Sequence, residues 1–281
     1  EKSGVALSFR GRPAYTAERV IVEDIATHPN WTLYSQLASR AGLGACWSQP
    51  ILSPSRQVLG TFAIYHRDKH APTEADIYVI EQSARLASIA IERKQMEDEV
   101  RKLAFYDALT ELPNRRLLAD RLKQALAASK RKGLYGALLF LDLDNFKPLN
   151  DQHGHDYGDL LLKEVARRIR SCVREVDTVA RFGGDEFVVV LSELVADKTA
   201  SATQASMVAE KIRSALAAPY LLSIQNEGSV ETSVEHHCTS SIGAVLFGKQ
   251  ESSASDILKW ADLAMYQAKA AGRNTVKFYD A

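Results

Sequence analysis

A pair of glycines between two apolar segments constrains the fold of this chain more than any other feature. Residues Arg181–Phe187 read RFGGDEF, and the apolar run Val188–Leu191 follows at once. Glycine adopts positive φ without steric cost, so the two glycines suit the tight turn of a β-hairpin. Such a turn would hold Asp185 and Glu186 at the hairpin tip, beside backbone that carries no Cβ atoms. We therefore expect a tip that a phosphate ester or a metal ion can approach closely.

A second strand that ends in acids lies upstream of this hairpin. The apolar run Leu138–Leu141 is followed by Asp142 and, two residues later, by Asp144. Successive side chains of a strand alternate between faces, so both acids point to the same face. If this strand lies beside the hairpin, Asp142 comes next to Asp185, and the two carboxylates form an oxygen site suited to Mg²⁺ bound to phosphates. Either acid alone would be a solvent-exposed strand end, but the combination favours the metal site.

The order of elements after residue 105 predicts the fold class. Apolar periodicity indicates helices and strands in alternation, interrupted by the hairpin. A helix, strand, helix, strand, strand, helix, strand, helix and strand are expected, in that order, at Arg115–Lys130, Tyr135–Leu143, Gly158–Arg174, Thr178–Phe182, Glu186–Leu191, Ala200–Ala217, Ser241–Phe247, Ala254–Ala271 and Thr275–Tyr279. This order matches a βαββαβ core of the ferredoxin-like or palm-like kind, an α+β fold with an antiparallel sheet backed by helices.

Composition excludes several classes of protein. The 281 residues suit about two domains, and 46% of them are hydrophobic, which is enough for packed cores. Lys and Arg together number 35, as do Asp and Glu, so no basic field indicates nucleic acid binding. Apolar runs are too short to cross a bilayer, and the three widely spaced cysteines indicate buried thiols in a reducing cytoplasm. From the start at Glu1 we expect a piece of a longer protein, in which a membrane anchor or another domain could precede or follow these residues.

The first 72 residues mix short strands and short helices in a small α/β unit. Strands are expected at Val20–Val22 and Val58–Tyr65, the second of them buried, and a helix at Thr32–Ala41. A long helix follows from Thr73, where Thr73 and Asp76 fit a variant of the capping box. This helix contains no glycine or proline before Pro113.

The long helix carries a heptad seam. The residues that recur at alternating spacings of three and four are Leu86, Ile89, Arg93, Met96, Val100 and Leu103. Over the first half of the helix, we expect packing against its own domain. From Glu92 to Leu103, charged residues flank the seam on both sides. There we favour a short parallel coiled coil between two chains over packing within one chain.

Several motifs in order make the second half of the chain recognisable, and it resembles the GGDEF family of diguanylate cyclases. The motifs are Asp107–Arg116 (DALTELPNRR), Asp142–Lys147 (DLDNFK), Asn150-Asp151, Gly154-His155, Gly158-Asp159, Gly183–Phe187, Ser241–Gly243 and Ala261–Asn274 (ADLAMYQAKAAGRN). The resemblance covers residues 105–281, which follow a helical linker at 92–104. Members of the family join two GTP molecules into cyclic di-GMP and release two pyrophosphates, so the resemblance implies a nucleotidyltransferase.

The resemblance also implies roles for individual residues. Asp142, Asp185 and the carbonyl of Leu143 would hold Mg²⁺ or Mn²⁺, with Glu186 in support. Asp185, or the metal-bound environment that it creates, would assist deprotonation of the attacking ribose 3′-hydroxyl. The remaining contacts to GTP would come from Phe146, Lys147, Asn150, His155, Asp159, Gly183, Gly184, Lys269 and Arg273.

Within that set, Asn150 and Asp159 would read the edge of guanine. Adenine presents the opposite pattern of donors and acceptors, so the acid gives a reason for preferring guanine. Lys269, which also counts among the catalytic residues, and Arg273 would clamp the phosphates from the last helix. For His155, direct substrate contact and a capping or packing role both remain open.

A short motif upstream of the hairpin resembles the product-inhibition site of the family. Arg174 and Asp177 have the RxxD spacing, with Thr178–Phe182 between them and the hairpin. By resemblance, these two side chains would bind guanine and phosphate of a cyclic di-GMP dimer. We therefore expect allosteric feedback control by the product.

Residues 1–91 resemble the second half of a GAF domain, a fold that senses small molecules. The matching segments are Ile21–Thr27, Trp31, Gly42–Ser48, Pro50-Ile51 and Leu59–Tyr65. The opening strands and helix of that family are expected to be absent from this numbering. Cys46, Trp47 and Tyr65 are candidates for lining a ligand cavity and equally for the core, and nothing in the sequence names the small-molecule ligand.

Together these features predict a cytoplasmic sensor–effector fragment. A partial GAF domain would lead through a helical stalk to a cyclase that acts as a homodimer, because condensation needs two sites face to face. The alternative is a GTP-binding module that does no chemistry and regulates an attached EAL phosphodiesterase, since Leu112–Arg115 and Gly158–Leu162 resemble GGDEF domains that precede EAL domains. A purine cyclase or polymerase palm of related topology lacks this order of motifs.

Overall fold

The computed structural model describes residues 16–224, 232–248 and 253–280. The chain divides into two compact units, residues 1–100 and residues 101–281. The three cysteines are buried and unpaired, as expected for thiols. None of the helices in the described ranges has the length and apolar character that crossing a membrane requires.

The first unit contains a three-stranded antiparallel sheet in the order β1-β2-β3. Its elements are β1 (Val20–Val22), a 3₁₀ helix (Pro29–Tyr34), α1 (Ser35–Arg40), β2 (Ala45–Leu52) and β3 (Val58–His66). A small core packs one face of this sheet against the helices and consists of Val22, Ile25, Trp31, Ala38 and Cys46.

Two expectations for this unit are corrected. The helix expected at Thr32–Ala41 is divided between the 3₁₀ helix and α1. The strand expected to be buried, β3, is only half-buried at each of its nine positions, because it lies at the edge of the sheet. The central strand β2 takes the buried position instead, and its polar residues obscured it in the sequence.

A helix of 32 residues, α2 (Glu74–Phe105), ends the first unit and enters the second. Its start carries the expected capping box, in which the backbone N–H of Thr73 donates to Asp76 Oδ2 at 2.9 Å and the N–H of Asp76 donates to Thr73 Oγ1 at 3.2 Å. Its buried positions are Ile80, Ala84 and Ser88.

The first half of α2 therefore packs on its own domain, but only through one stripe. Leu86 and Ile89 are 68% and 57% exposed. The later seam residues Met96, Val100 and Leu103 are exposed to a similar extent. The expected heptad seam thus lies on the surface along the whole helix.

The second unit is built on a five-stranded sheet in the order β10-β9-β4-β6-β5. Its strands are β4 (Gly136–Asp144), β5 (Thr178–Gly183), β6 (Glu186–Leu191), β9 (Thr239–Phe247) and β10 (Val276–Phe278). All neighbouring pairs are antiparallel except β9 with β10. The central strand β4 is buried at all nine positions, so it forms a rigid platform for the residues at its end.

Helices cover both faces of this sheet and divide the core in two. One core packs α5 (His155–Cys172) and α6 (Lys198–Ala217) against the sheet, and the other packs α3 (Arg115–Lys132) and α7 (Ala254–Ala270). Alternate residues of β4 feed the two cores, with Leu139 in the first and Leu138 in the second. This is the expected α+β arrangement of an antiparallel-rich sheet backed by helices.

Two further elements lie outside the nine ranges expected from the sequence. A short helix, α4 (Phe146–His153), lies between β4 and α5, and a hairpin of β7 (Tyr220–Ile224) and β8 (Thr232–His236) precedes β9. The connection Pro219–Cys238 is rich in polar residues, and residues 225–231 within it lie outside the described part of the chain.

Candidate active site

The acidic end of β4 lies beside the tip of the β5–β6 hairpin. In the antiparallel register of β4 and β6, Asp142 is opposite Glu186 and Leu141 is opposite Phe187. The backbone N–H of Leu143 donates to the carbonyl of Asp185 at 3.3 Å. The adjacency expected from the two acid-bearing strand ends is therefore present.

The acids at this junction repel one another inside a partly buried site. Burial raises the pKa of Asp142, the hydrogen bond from Lys269 lowers it, and the negative charge of Asp185 raises it again, with a net upward shift. Burial also raises the pKa of Glu186, and the charges of Asp142 and Asp185 add to that effect. Such a cluster of carboxylates favours any cation that reaches it.

One cation of the chain already lies there. Lys269, on α7, places its Nζ 2.7 Å from Oδ2 of Asp142. The Asp142 residue is 8% exposed, and about a third of the Lys269 side chain is accessible to solvent. The ammonium group therefore closes one side of the acidic cluster and remains reachable by a ligand.

The donor set is compatible with Mg²⁺ held mainly by a substrate. Among the described residues, no group of three or more His, Cys, Asp or Glu side chains comes close enough to hold a metal ion. Mg²⁺ is commonly bound by one or two carboxylates and completes its shell with waters and phosphate oxygens. Asp142 and Asp185, with a backbone carbonyl such as that of Leu143, offer the hard oxygen ligands that Mg²⁺ and Mn²⁺ prefer.

The neighbouring acid, Asp144, has a different task that the sequence did not reveal. It is 3% exposed, and its carboxylate accepts hydrogen bonds from Thr239 Oγ1 at 2.7 Å and Ser241 Oγ at 2.8 Å. It also accepts the backbone N–H of Asn274 at 3.1 Å. Asp144 therefore ties β4 to β9 and to the turn after α7. The two hydroxyls, spaced by two on one strand, were the only signal in the sequence.

The start of α4 lies directly after β4 and supplies free backbone donors. Phe146 is its first residue and Lys147 its second, and the resemblance implied contacts to GTP for both. The preceding Asn145 adopts a left-handed conformation with φ of 61° and makes no side-chain capping bond. The first N–H groups of the helix are therefore not capped by the residue before it, which suits the binding of phosphates.

The residues expected to read the base lie on α4 and α5. The side-chain oxygen Oδ1 of Asn150 is buried and has no hydrogen-bond partner. It packs against Gly158, where an added Cβ would come within 2.0 Å of it. Asp159 is exposed on the next residue of α5, and His155 is exposed at the start of that helix. A buried acceptor without a donor is costly, which is consistent with a place for a ligand N–H.

The position of Arg273 differs from the expectation. Helix α7 ends at Ala270, so Lys269 lies in its last turn while Arg273 lies beyond its end. The turn contains Gly272 with φ of 108° and Arg273 with φ of 64°. Arg273 is exposed there and is carried by the turn that Asp144 holds through Asn274.

The hairpin tip is fixed by an arginine whose role the sequence did not suggest. Both Nε and Nη2 of Arg181 donate to the carbonyl of Gly184, at 2.9 and 2.7 Å. Its Nη1 donates to both carboxylate oxygens of Asp107 at 3.1 Å. Gly184 has φ of 51°, and neither Gly183 nor Gly184 has any atom within 4 Å of a Cβ built on it. The tip is therefore rigid at its base and open on its outer side.

The RxxD pair lies at the far end of strands β5 and β6 from the hairpin tip, where β5 begins and β6 ends. Arg174 donates through Nε and Nη2 to the carboxylate of Asp177 at 3.2 Å, and its Nη2 also donates to the carbonyl of Ser192 at 2.9 Å. The Asp177 carboxylate further accepts the backbone N–H groups of Arg174 and Ser192. The side chain of Asp177 is 2% exposed, whereas that of Arg174 is 57% exposed. Arg174 is thus the member that a ligand can reach.

The three candidates for a cavity in the first unit are occupied in packing. Cys46 belongs to the core of that unit, and Tyr65 packs against the same core. Trp47 is 2% exposed and lies against His66 and His70, with ring centroids 4.3 and 5.3 Å away.

Known families match both parts of the chain. Residues 104–275 match the family described as "Diguanylate cyclase, GGDEF domain", and residues 4–92 match the GAF domain family. The chain therefore belongs to the GGDEF family and carries a GAF domain ahead of its GGDEF domain. The resemblance read from the motifs is confirmed. The GAF match begins at residue 4. Residues 4–15 lie outside the described part of the chain, so the absence of the opening GAF strands and helix stays a prediction.

Individual relatives agree with this assignment. The bifunctional diguanylate cyclase/cyclic di-GMP phosphodiesterase MucR of Pseudomonas aeruginosa is 40% identical over 197 residues, covering 70% of this chain and 27% of that protein. The cyclic di-GMP phosphodiesterase NbdA of the same organism is 32% identical over 242 residues, covering 86% of this chain and 28% of that protein. The chain thus spans less than a third of either relative.

Among solved structures, the coiled coil and GGDEF domain of DgcB from Caulobacter crescentus, in complex with c-di-GMP, superimposes with a TM-score of 0.59. Its sequence is 29% identical, and the match covers 70% of this chain and 98% of that one. The similarity includes a helical segment ahead of the GGDEF domain, as in this chain.

Proposed function

We propose that this chain is a diguanylate cyclase that condenses two GTP molecules into cyclic di-GMP and two pyrophosphates. The observation that carries the proposal is the meeting of Asp142, the hairpin acids and the ammonium group of Lys269 at one edge of the sheet. The relatives support the same reaction class, since MucR is named as a diguanylate cyclase with a second activity.

The reaction is a nucleotidyl transfer carried out twice. The 3′-oxygen of one GTP forms a bond to the α-phosphorus of the other, and the bond from that phosphorus to the β-phosphate oxygen breaks. The proton of the 3′-hydroxyl leaves to a base, and pyrophosphate departs. Repetition at the second 3′-hydroxyl closes the ring.

The acids would serve a divalent ion and the attacking hydroxyl. Asp142 and Asp185 would bind Mg²⁺ or Mn²⁺ with the Leu143 carbonyl, and the ion would supply Lewis-acid activation and neutralise charge on the phosphates. Asp185 would assist removal of the 3′-proton. Glu186, whose pKa burial and neighbouring charges raise, would stay beside them as support.

The phosphates would be held by positive groups on three elements. Lys269 would contact them from the last turn of α7, while Arg273 would do so from the turn that follows. The start of α4 at Phe146 and Lys147 would add backbone N–H groups. The uncovered backbone of Gly183 and Gly184 would let the triphosphate approach the hairpin tip.

Guanine would be recognised by Asn150 and Asp159. The buried, unpartnered Oδ1 of Asn150 would accept an N–H from the base, and Asp159 would accept the ring N–H and the amino group. His155 lies between them in the sequence, four residues before Asp159, and is exposed. Both a substrate contact and a capping or packing role stay open for it.

Two copies of the chain would act together. Each GGDEF domain would hold one GTP, so the condensation requires a homodimer. The exposed apolar seam of α2 would form the contact between copies, and a small molecule bound to the GAF domain would change their relative orientation. This working unit is expected in the cytoplasm, where GTP is available.

Product would feed back through the RxxD site. The exposed guanidinium of Arg174 would contact guanine or phosphate of cyclic di-GMP. Asp177 would act chiefly by orienting Arg174, because the chain's own donors already engage its carboxylate. We expect Arg174→Ala to relieve inhibition of turnover by added product while the uninhibited rate stays the same.

A second candidate is a GTP-binding module that regulates an attached phosphodiesterase. The favouring observation is that NbdA, a relative matching 86% of this chain, is named as a cyclic di-GMP phosphodiesterase. The same site would then bind GTP without joining two molecules of it.

One incubation separates the two candidates. The chain is mixed with GTP and Mg²⁺, and the product is identified by its mass. We expect cyclic di-GMP and pyrophosphate from the native chain and neither from the Asp185→Ala variant. GTP binding without product would favour the regulatory module.

A further inference from the structure

A positively charged pocket lies beside the hairpin tip and includes two arginines, Arg115 and Arg116, that have no role in the proposed reaction. Its volume is about 440 Å³, and it lies at the β5 edge of the sheet. The residues that line it are Asp107, Asn114, Arg115, Arg116, Arg181, Phe182, Gly183 and Gly184. The size is within the range of small-molecule sites.

The charge of this pocket is not balanced by its own residues. The pocket contains three arginines and one carboxylate, that of Asp107. This carboxylate already accepts hydrogen bonds from Nη1 of Arg181, on both of its oxygens, and from the hydroxyl of Thr110 at 2.6 Å. Arg115 and Arg116 are exposed, and none of the described residues pairs an acid with either of them.

Aromatic rings hold these two guanidinium groups in place without using their donors. Arg115 lies over the ring of Phe182 with 4.6 Å to the centroid, and Arg116 over the ring of Phe105 with 5.1 Å. Ring stacking fixes the plane of a guanidinium while its edge N–H groups remain available. Two edges of this kind are suited to the oxygens of a phosphate chain, which arginine can bind in a bidentate manner.

The position of the pocket indicates whose phosphates it receives. The strand β6 separates β5 from β4, so the pocket lies about 10 Å, two strand spacings, from the strand that carries Asp142. Lys269 and the start of α4 lie on the β4 side of the hairpin. The groups proposed to hold the phosphates of the chain's own nucleotide therefore lie on the other side of the hairpin from Arg115 and Arg116.

We propose that Arg115 and Arg116 bind the phosphates of a nucleotide carried by a second copy of this chain. The inference rests on the proposed function, because a face-to-face arrangement of two nucleotide-loaded copies brings each hairpin tip to the other. The uncovered outer side of Gly183 and Gly184 leaves room for that approach. Each copy thereby completes the phosphate site of the other, and nucleotide binding strengthens dimerisation.

The test measures association of the full chain with and without a non-hydrolysable GTP analogue and Mg²⁺. Sedimentation equilibrium gives the dimer dissociation constant, and calorimetry gives the affinity for the analogue. The variant is Arg115→Gln with Arg116→Gln. The matched control is Lys123→Gln with Arg131→Gln, which removes the same charge from exposed positions of α3 away from the pocket.

We expect the analogue to tighten dimerisation of the native chain and of the control at least tenfold. The pocket variant should lose that gain, while its affinity for the analogue at low protein concentration changes less than twofold. Turnover of the variant should fall at saturating GTP, with little change in KM.

Four results would overturn the proposal. They are no tightening in the native chain, full tightening in the pocket variant, a tenfold loss of analogue affinity in the variant, or equal tightening by inorganic triphosphate alone. The third would assign the pocket to the chain's own nucleotide and the fourth to a free polyphosphate. Absence of cyclic di-GMP from native incubations would instead remove the proposed reaction, and the binding result would still decide this inference.

Discussion

At the scale of single residues, the acid site depends on side chains held by distant parts of the chain. Asp144 is tied to Thr239 and Ser241, 95 and 97 positions away, and to Asn274, 130 positions away. These bonds connect the end of β4 to the turn that carries Arg273. The geometry around Asp142 and Lys269 therefore depends on a neighbouring residue with no proposed contact to substrate.

Replacement of Gly158 by alanine should weaken guanine binding. The added Cβ would lie 2.0 Å from Oδ1 of Asn150 and would force that side chain to move. We expect about a tenfold loss of affinity for a GTP analogue, or about 1.4 kcal/mol, measured by calorimetry. Gly60→Ala is a suitable control, because its nearest neighbour would be 3.8 Å away. Unchanged affinity in the Gly158 variant would argue against a role of Asn150 in base recognition.

Residue-level reasoning from the sequence succeeded for local patterns and failed for long-range partners. The two strand-end acids were visible because apolar runs precede them. Asp142 was expected next to Asp185, and the register places it opposite the adjacent residue, Glu186. The bonds of Asp144 and the pairing of Arg181 with Asp107 join residues that are 74 or more positions apart. The spacing of apolar residues along a strand or a helix carries no information about such distant partners, so only the folded chain reveals them.

At the scale of elements, one arginine of α5 joins three pieces of structure. Arg168 donates to the carbonyls of Ala215, Ala218 and Pro219 and lies 3.7 Å above the ring of Tyr220. It is itself held by Glu164, with 2.9 Å between Nε and Oε1. This contact closes the end of α6 and fixes where the β7–β8 hairpin begins.

The pKa of Glu164, the carboxylate in this contact, predicts how the free energy of unfolding depends on pH. Hydrogen bonds from Arg167 and Arg168 lower the pKa of Glu164 from 4.5 to about 2. A lowered pKa means that the ionised form stabilises the fold above the unfolded value, and that this contribution is lost as pH falls from about 4.5 towards 2.

Glu164→Gln should therefore flatten the acid side of the stability curve. We expect the variant to have a lower melting temperature than the native chain at pH 6, and the difference between them to shrink at pH 3. Thermal unfolding followed by circular dichroism measures both. An equal difference at the two pH values would contradict the assignment, and Glu97→Gln on the exposed helix α2 serves as a control.

The sequence predicted elements best where apolar periodicity was strong. All nine elements expected after residue 105 are present, with ends displaced by at most three residues. Helix α4 was not among these nine elements, because its eight residues are too few to show a clear apolar periodicity. The β7–β8 hairpin was missed because β8 is polar at four of its five positions, although β7 is mostly apolar.

At the scale of the whole molecule, the proposed activity requires two chains. The exposed seam of α2 offers apolar side chains at heptad positions, interrupted by Arg93, which pairs with Glu97 at 2.8 Å. A single charged residue at such a position lowers the stability of a coiled coil while selecting its register. The heptad pattern and the exposure of the seam support a contact between two copies along α2.

Charged substitutions on the seam should separate GTP binding from turnover. Met96→Glu with Val100→Glu places charges in the proposed contact, so we expect loss of dimerisation and a drop of at least tenfold in turnover per chain. Affinity for a GTP analogue should remain within twofold of the native value. The control is Gln95→Glu with Lys102→Gln, which makes the same change in charge one position outside the seam. Native turnover in the seam variant would refute the proposed contact.

The central claim is that Asp142 and Asp185 meet at a divalent ion that holds a nucleotide triphosphate. The most direct measurement is the dissociation constant of a non-hydrolysable GTP analogue, by calorimetry, with Mg²⁺ present and with Mg²⁺ removed by a chelator. We predict at least tenfold weaker binding to the native chain without Mg²⁺, and no metal dependence in the Asp142→Ala, Asp185→Ala double variant. Equal affinity of the native chain in both conditions would contradict the claim.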